Sequence, residues 1–285
     1  CAMPVVRANH QVDGPDLKLW KGLAELGLFA TCVPEDQGGL GAGLRQVVLP
    51  LEEVGAALVP GPVADTLAFA HAVAGTALQD KWLPRIASGE LLAALALLDE
   101  PHRYAPQETR TVARRAGGKW RLSGRKLLVP EAAACDVLLV SAQEQLGGPV
   151  GLYVVEGGAA GLGLRRHQTI DPGARYYAVE TQDTPAEALD LSGAGNDKLH
   201  AVCAWMAAAQ LTGAASRALD MAVQYAGERK QFGQPIGSFQ AIKHLCADRH
   251  VDREMSRAAC HHARWSLADS PDDAVLAASV AKGAA

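Results

Sequence analysis

The spacing of apolar residues changes twice along the chain, and this change most limits the folds that its 285 residues can form. Up to about Glu90 the apolar residues recur at the period of a helix. Beyond it, short β-prone runs such as KLLVP, DVLLVSA and GLYVVE are separated by Gly, Pro or Asp. The helical period returns at Asn196. The pattern predicts an α+β fold, with a helical domain over residues 1–90, a small antiparallel β domain over 91–190 and a C-terminal helical bundle over 191–285.

Two helix starts can be placed in the C-terminal domain. Ser238 is predicted to cap the long helix that follows it, because Ser is favoured at that position. The run SPDD, which begins at Ser270, combines a capping residue, a Pro and two first-turn acids, and this predicts a third helix. The chain stops at Ala285 within that third pattern, so we expect the C-terminal bundle to be incomplete as given.

Composition argues against two classes of partner. The formal net charge is −4, and the sequence shows no basic stripe of the kind that binds nucleic acid. Hydrophobic residues make up 49% of the chain, but its most apolar stretch, from Ala201 to Ala215, is rich in Ala and includes Gln210 and Thr212. That stretch is interpreted as a buried helix rather than a membrane span.

The cysteines argue against disulfides and against a metal site. The chain has six of them, and no two form a C-x-x-C pair. Unpaired thiols are typical of a reducing compartment, so we expect a cytoplasmic protein. Cys260, His261 and His262 are adjacent, but neighbouring residues on a helix point in different directions and no second cluster completes four ligands.

One short stretch fits neither of the long helical patterns that flank it. ERKQFGQPIGSFQAIKH, from Glu228 to His244, contains two Phe, a Pro and two Gly in a region that is otherwise amphipathic. It closely resembles the R-x-x-F-G-x-P-I-x-x-F-Q signature of the acyl-CoA dehydrogenase family. Three weaker matches occur in the order of that family: PEDQGGLG from Pro34, LPRIASGE from Leu83 and LSGRK from Leu122.

The resemblance implies a role for this turn. In the family it reaches across a subunit interface and holds the FAD of the neighbouring subunit. The residue types suit that role, since Arg can bridge a pyrophosphate, Gln can donate amide hydrogens and Phe offers a planar surface. The implied cofactor-binding residues are Arg229, Gln231, Phe232, Phe239 and Gln240. From the residues alone, a helix–helix connection whose Phe side chains fill a core remains the alternative.

The β domain departs from the family at two flavin-contacting strands. Where the family has T-E-P-x-A-G-S-D, this chain has DEPHRYAP, which places Asp99 where a Thr contacts the flavin. A carboxylate there is expected to oppose the negative charge of reduced flavin. Where the family has K-x-W-I-T, Leu128 replaces the Trp and Pro130 replaces the Thr, so a hydroxyl and an N–H donor are lost. These changes predict that the chain does not use a flavin pocket of its own.

The sequence offers no catalytic base. In most members of the family a Glu beyond the end of this chain removes the α-proton; in others the Glu lies on the helix before the signature turn. At that second position this chain has Cys203, followed by Ala204, and neither is a carboxylate. Other carboxylates of the C-terminal domain, such as Asp248 and Asp252, alternate with arginines and favour a solvated, ion-paired helix face.

Three functions follow as hypotheses. The favoured one is a non-catalytic partner subunit of a heteromeric, α2β2, actinobacterial-type acyl-CoA dehydrogenase, which lends FAD contacts to a homologous catalytic chain. The alternative is a catalytically competent homo-oligomer with its Glu base in the missing C-terminal part. The third is a scaffold that binds no flavin. The resemblance implies an oxidoreductase of lipid metabolism and β-oxidation, an acyl-CoA substrate and electron-transferring flavoprotein as the acceptor.

Overall fold

The computed structural model describes residues 14–99, 108–171, 173–190 and 194–285. Helices come first, strands follow, and long helices end the chain, in the order that the apolar spacing predicts. The first helices are α1 (Leu17–Glu25), α2 (Val48–Ala56), α3 (Val63–Val73) and α4 (Gln79–Ala87). The strands are β1 (Ala93–Ala96), β2 (Val112–Ala116), β3 (Lys119–Pro130), β4 (Val137–Gln143), β5 (Val150–Glu156), β6 (Leu162–Arg166) and β7 (Tyr176–Asp190). The later elements are α5 (Ala194–Glu228), β8 (Lys230–Gln231), β9 (Gln234–Pro235), α6 (Gln240–Asp269) and α7 (Pro271–Ala284).

The chain forms two compact units. One comprises Arg45–Val59 and Ala204–Ala285, and the other comprises the described residues of 14–44 together with those of Pro60–Cys203. This division is by contact in space, so the helix α2 belongs with the C-terminal helices although it lies early in the chain. The boundaries of the three domains expected from the sequence stay a prediction. The elements change from helices to strands and back to helices close to those boundaries.

The sheet of the second unit closes on itself. Its strand order is β1-β4-β2-β3-β7-β5, and β5 also pairs with β4, so five strands form a ring of pairings. Most pairs are antiparallel, as expected, but β1 runs parallel to β4 and a single residue pair joins β2 to β4 in parallel. Gly117 and Gly118 connect β2 to β3 with φ angles of 59° and 78°, which makes a tight two-residue hairpin turn.

The open edge of β1 is covered by the start of α3. The Leu95 N–H donates to Asp65 Oδ1 over 3.1 Å, and the Ala93 N–H donates to Thr66 Oγ1 over 3.1 Å. These side chains satisfy strand donors that would otherwise be left unpaired at an edge. Burial raises the pKa of Asp65 to about 7, although the hydrogen bond from Leu95 works in the opposite direction.

This carboxyl group predicts a pH dependence of stability. Because the folded-state pKa is raised from 3.8 to about 7, the folded protein binds more protons than the unfolded chain between these values. The free energy of unfolding should therefore fall as the pH rises from about 4 to about 7, by on the order of 2 kcal/mol after solvent screening. His71, whose pKa is lowered to about 4 by burial and by Lys198, has the opposite slope.

The measurement is therefore a difference between two proteins. Urea unfolding of wild type and of Asp65→Asn should be compared from pH 4 to pH 8, where the variant keeps an oxygen for the Leu95 N–H. We expect the free energy of unfolding of wild type to be higher near pH 4 than near pH 7 because of Asp65, and the variant to lack this contribution. The contribution of His71 is the same in both proteins and cancels in the difference. Identical pH profiles for the two proteins would contradict the assignment of a raised pKa to Asp65.

Close helix packing characterises the unit that contains the C-terminal helices. A Cβ atom added at Gly213 in α5 would lie 1.8 Å from the Glu52 carbonyl oxygen of α2, and one at Gly55 would lie 1.9 Å from the Gln210 carbonyl oxygen. The same helix α2 places the buried Glu52 carboxylate against Arg257 of α6, whose Nη2 lies 2.7 Å from Glu52 Oε2. The packing of α2 against α5 thus depends on two glycines, and its packing against α6 includes this ion pair.

The described residues contain neither a candidate membrane span nor a candidate metal site. None of the helices they form is long and apolar enough to cross a membrane. No group of three or more His, Cys, Asp or Glu side chains in the described ranges is arranged to hold a metal ion, and Cys260 is buried against Thr212 instead. The cysteines at positions 32, 135, 203, 246 and 260 are all free thiols.

Candidate functional site

The signature stretch folds as a small β-hairpin between α5 and α6. Lys230 pairs with Pro235, and Gln231 pairs with Gln234. Phe232 and Gly233, at the tip, have φ angles of 53° and 81°, which is the conformation of a type I′ turn. A bulky residue at positive φ is strained, so the hairpin holds Phe232 in a conformation that its side chain disfavours.

The ends of the hairpin are tied down by backbone hydrogen bonds. The Arg229 N–H donates to the Tyr225 carbonyl over 2.8 Å, and the Ile236 N–H donates to the Arg229 carbonyl over 2.8 Å. Pro235 has φ −56° and leads into a single 3-10 turn over Ile236–Ser238. The hairpin is therefore a formed element that positions its side chains, as expected for a binding turn containing Gly and Pro.

The side chains of this hairpin point away from any core. Phe232 is 93% exposed, and its ring meets that of Phe239 edge-on with the centroids 6.2 Å apart. Arg229, Gln231 and Gln240 are exposed. Within the described part of the chain, no group accepts a hydrogen bond from the side chains of these three residues. An exposed aromatic beside unsatisfied donors is what a surface that recognises a ligand or a partner presents, and it argues against Phe232 filling the core of its own unit.

Ser238 does not cap the following helix, so that prediction was wrong. Helix α6 begins at Gln240, its N-cap position is Phe239, and no side chain accepts a bond from the first turn. Ser238 Oγ donates instead to the Pro235 carbonyl over 2.7 Å. The 3-10 turn uses the Ser hydroxyl before the helix starts, and a purely local sequence rule cannot detect that competition.

Asp99 lies three residues beyond the end of β1, and its side chain is buried. It is 7% exposed. Its carboxylate accepts hydrogen bonds from the hydroxyl of Thr109 and from the Arg110 N–H, the latter over 2.5 Å, and its Oδ1 lies 2.8 Å from Lys126 Nζ. The remainder of DEPHRYAP, residues 100–106, lies outside the described residues.

The pairing of Asp99 corrects the electrostatic expectation for this position. Burial by itself raises the pKa of Asp99, but the Lys126 ammonium and the hydrogen bonds outweigh burial, so the net pKa is lowered. Burial lowers the pKa of Lys126 to about 8, against the attraction of Asp99. Because Lys126 balances the negative charge, Asp99 is not the free carboxylate that was expected to oppose a reduced flavin.

Leu128 and Pro130 lie where β3 loses its regular pairing. The register between β3 and β7 shifts between Lys126 and Val129, and Leu128 sits in that irregularity with φ 52° and 46% of its surface exposed. Pro130 ends the strand and has no N–H to donate. The next residue, Glu131, is held by Arg175, whose Nε lies 2.9 Å from Glu131 Oε2. At this end of β3 neither Leu128 nor Pro130 has a side-chain donor, and Pro130 has no backbone donor either.

The structure places no base at the alternative position on α5. Burial, reinforced by the nearby Asp65, raises the pKa of Cys203, so its thiol stays neutral. The carboxylates farther along are surface groups: Asp252 lies 3.0 Å from Arg249 Nη1, and Glu254 lies 2.9 Å from Arg253 Nη2. The ion-paired helix face predicted from the alternating charges is confirmed.

Two buried polar features of the unit that includes Pro60–Cys203 were missed by sequence reasoning. Asp65 is a single acid within the apolar run VADTLAFA, and that contrast could have marked it as a buried carboxyl group. The second is the Asp99–Lys126 pair, whose members lie far apart in the sequence and show no local signal. Asp65 satisfies a donor at the edge of β1, and Asp99 with Lys126 forms a buried polar cluster in the same unit.

Comparisons with known proteins support the resemblance along most of the chain. Residues 2–90 match the acyl-CoA dehydrogenase N-terminal domain, and residues 201–285 match the acyl-CoA dehydrogenase C-terminal domain. FadE34 of Mycobacterium tuberculosis, an acyl-CoA dehydrogenase, is 36% identical over 275 residues; the match covers 92% of this chain but only 34% of FadE34. The chain thus spans about a third of the length of that relative.

Two further proteins are similar over most of their length. FadE12 of Mycobacterium tuberculosis, also an acyl-CoA dehydrogenase, is 30% identical over 290 residues, which covers 94% of this chain and 74% of FadE12. The ChsE4–ChsE5 complex of Mycobacterium tuberculosis includes a chain that matches with a TM-score of 0.87 and 26% identity, covering 98% of this chain and 78% of that one. The chain described here belongs to the acyl-CoA dehydrogenase family.

Proposed function

We propose that this chain takes part in the FAD-dependent α,β-dehydrogenation of an acyl-CoA thioester as a non-catalytic partner subunit. Members of the family bind FAD, which accepts the β-hydrogen as hydride when the substrate is oxidised. In the proposed role this chain supplies contacts to an FAD whose catalytic pocket belongs to a homologous chain. The observation that carries the proposal is that the hairpin is exposed and that the side-chain donors of Arg229, Gln231 and Gln240 are unsatisfied among the described residues.

The hairpin fits such a cofactor well. Arg229 can form paired hydrogen bonds with a pyrophosphate, and Gln231 and Gln240 can donate amide hydrogens. Phe232 is 93% exposed and meets Phe239 edge-on, so the two rings offer an apolar surface to a planar ring system. Because these groups point out of their own unit, they are available to a cofactor held by another chain.

The end of β3 fits a flavin poorly. Leu128 presents an aliphatic side chain and Pro130 has no N–H, so neither side chain can donate to a flavin nitrogen or oxygen and Pro130 offers no backbone donor. Asp99 has its carboxylate committed to Lys126 and Thr109. These features support a role in which this chain lends the hairpin and a homologous chain holds the flavin. The hairpin is exposed, whereas the end of β3 offers the flavin no side-chain donor. Cys203 also replaces a carboxylate on α5.

Partners and location follow from the same role. We propose an oligomer with a homologous catalytic acyl-CoA dehydrogenase chain. The similarity of this chain to one in the ChsE4–ChsE5 complex supports a hetero-oligomer. Electron-transferring flavoprotein is the proposed electron acceptor, as the family implies. A cytoplasmic location is supported by the five free cysteines of the described residues.

The test is the flavin content of the full-length protein, purified alone and after co-expression with a homologous catalytic chain. We expect a colourless protein alone and a yellow complex with one FAD per pair of chains. A chain that is yellow by itself and is bleached by an acyl-CoA would contradict the proposal and support the homo-oligomeric enzyme. A complex that forms without flavin would support the scaffold.

The variant Arg229→Ala tests the hairpin directly. Loss of a charge-assisted, two-point contact should weaken FAD binding to the complex by about 10- to 100-fold. Arg217→Ala is the matched control, because Arg217 is an exposed arginine of α5 outside the hairpin. FAD affinity is measured by titration of the deflavinated complex. Equal losses in both variants, or none in Arg229→Ala, would show that the hairpin does not contact the cofactor.

A further inference from the structure

The hairpin of β2 and β3 concentrates positive charge in a chain of negative net charge. Between Thr109 and Pro130 there are seven Lys and Arg residues and no Asp or Glu, whereas the whole chain has a formal net charge of −4. Lys126 is buried and bound to Asp99, so its charge is used inside the domain. The other six cations of this segment are exposed or partly exposed.

Strand alternation sorts several of these cations onto one outer face. Along β3, Leu122 and Lys126 point inward and are buried, so Arg121 and Arg125 point outward. Directly paired residues of neighbouring strands share a face, which adds cations from β2 and, through β7, from β6. The resulting basic strip consists of Arg114, Lys119, Arg121, Arg125 and Arg165.

The strip contains a pair of like charges that the sheet itself does not favour. Arg114 lies directly opposite Arg121 in the register of β2 and β3. Like charges in this position destabilise a sheet, whereas opposite charges would stabilise it. Arg121 donates to the Asp183 carbonyl over 3.1 Å and lies 3.9 Å from its carboxylate, but none of the described acids pairs with Arg114.

Three of the five cations have no acidic partner among the described residues. Glu180 lies opposite Arg125, with 3.6 Å between Arg125 Nε and Glu180 Oε1, and Asp183 lies beside Arg121. No ion pair within the described part of the chain involves Arg114, Lys119 or Arg165. A local arrangement that costs stability and leaves charge uncompensated is expected where a surface binds something of opposite charge.

We propose that the basic strip is a docking surface for an acidic segment of another protein. The strip follows β3 for six residues, which is about 20 Å, and its side chains stand on the outside of a sheet rather than around a hollow. A single phosphate group needs donors that converge on one point, whereas this row of separated guanidinium groups fits a row of carboxylates. The strip lies on strands β2, β3 and β6 and shares no residue with the hairpin of β8 and β9.

Arg114→Glu separates this role from a structural one. The substitution turns the like-charge pair into an opposite-charge pair with Arg121, so the thermal midpoint should rise by about 1–3 °C. Binding of a fluorescein-labelled decaglutamate peptide, followed by anisotropy at low salt, should instead weaken by about tenfold. Lys21→Glu, which makes the same charge change at an exposed site of α1, should leave peptide binding within about twofold of wild type.

Three results would overturn the proposal. The first is peptide binding that is unchanged in Arg114→Glu although its midpoint has risen. The second is an equal loss in the Lys21→Glu control, which would mean that net charge alone attracts the peptide. The third is displacement of the peptide by inorganic tripolyphosphate at far lower concentration than by free glutamate peptide, which would identify a phosphate site.

Discussion

Gly213→Ala is expected to lower the free energy of unfolding by about 3–5 kcal/mol, the range of severe core substitutions. The Cβ atom would lie 1.8 Å from the carbonyl oxygen of Glu52 and 2.6 Å from its carbonyl carbon. These are backbone atoms of α2, so no side-chain rotation can make room and the two helices must move apart. Separation would also disturb Glu52, whose buried carboxylate depends on Arg257.

The matched control lies on the same helix. Gly227 has no atom within 4 Å of an added Cβ, so Gly227→Ala should be neutral or stabilise the protein by up to about 1 kcal/mol through helix propensity. Both variants are compared by urea unfolding, which is followed by the far-ultraviolet circular dichroism signal of the helices. A loss below about 1 kcal/mol in Gly213→Ala would mean that α2 and α5 do not pack through their backbones.

Lys126→Met should cost about 3–5 kcal/mol, because it leaves Asp99 as a buried carboxylate without its counter-charge. Lys126 Nζ lies 2.8 Å from Asp99 Oδ1 and also donates to Thr109 Oγ1 over 2.9 Å and to Ser141 Oγ over 2.8 Å. Met has nearly the same length and no charge, so the loss reports on the ammonium group rather than on a cavity.

A double-mutant cycle separates pairing from general damage. Asp99→Asn combined with Lys126→Met removes both charges, and the double variant should be clearly more stable than Lys126→Met alone. Urea unfolding at neutral pH gives the four free energies of the cycle. If the double variant were less stable than the single one by the full cost of Asp99→Asn, the two side chains would not be coupled.

Several elements were predictable because their signals are local. The two-residue turn at Gly117 and Gly118 is of this kind, since positive φ angles at both positions favour Gly. The start of α7 at Pro271 was placed correctly from its Pro and first-turn acids. Ser238 shows the limit of such rules, because its hydroxyl is used by a neighbouring turn instead of the helix.

The candidate site was predictable only in part. The signature motif located the hairpin, and the structure shows that Phe232 is exposed rather than packed into its own unit. A role of these residues in FAD binding stays a prediction until the flavin content is measured. The Asp99 substitution was visible in the sequence, but its consequence was not, because Lys126 lies on another strand.

By itself the sequence determined the succession of helices, strands and helices, the family and the position of the signature hairpin. These properties depend on residue spacing and on short motifs, which act over a few neighbouring residues. Tertiary structure alone decided that Lys126 balances the charge of Asp99, that position 213 requires Gly and that Arg114 lies opposite Arg121. Each of these depends on strand register or helix crossing, which brings together residues that the sequence keeps apart.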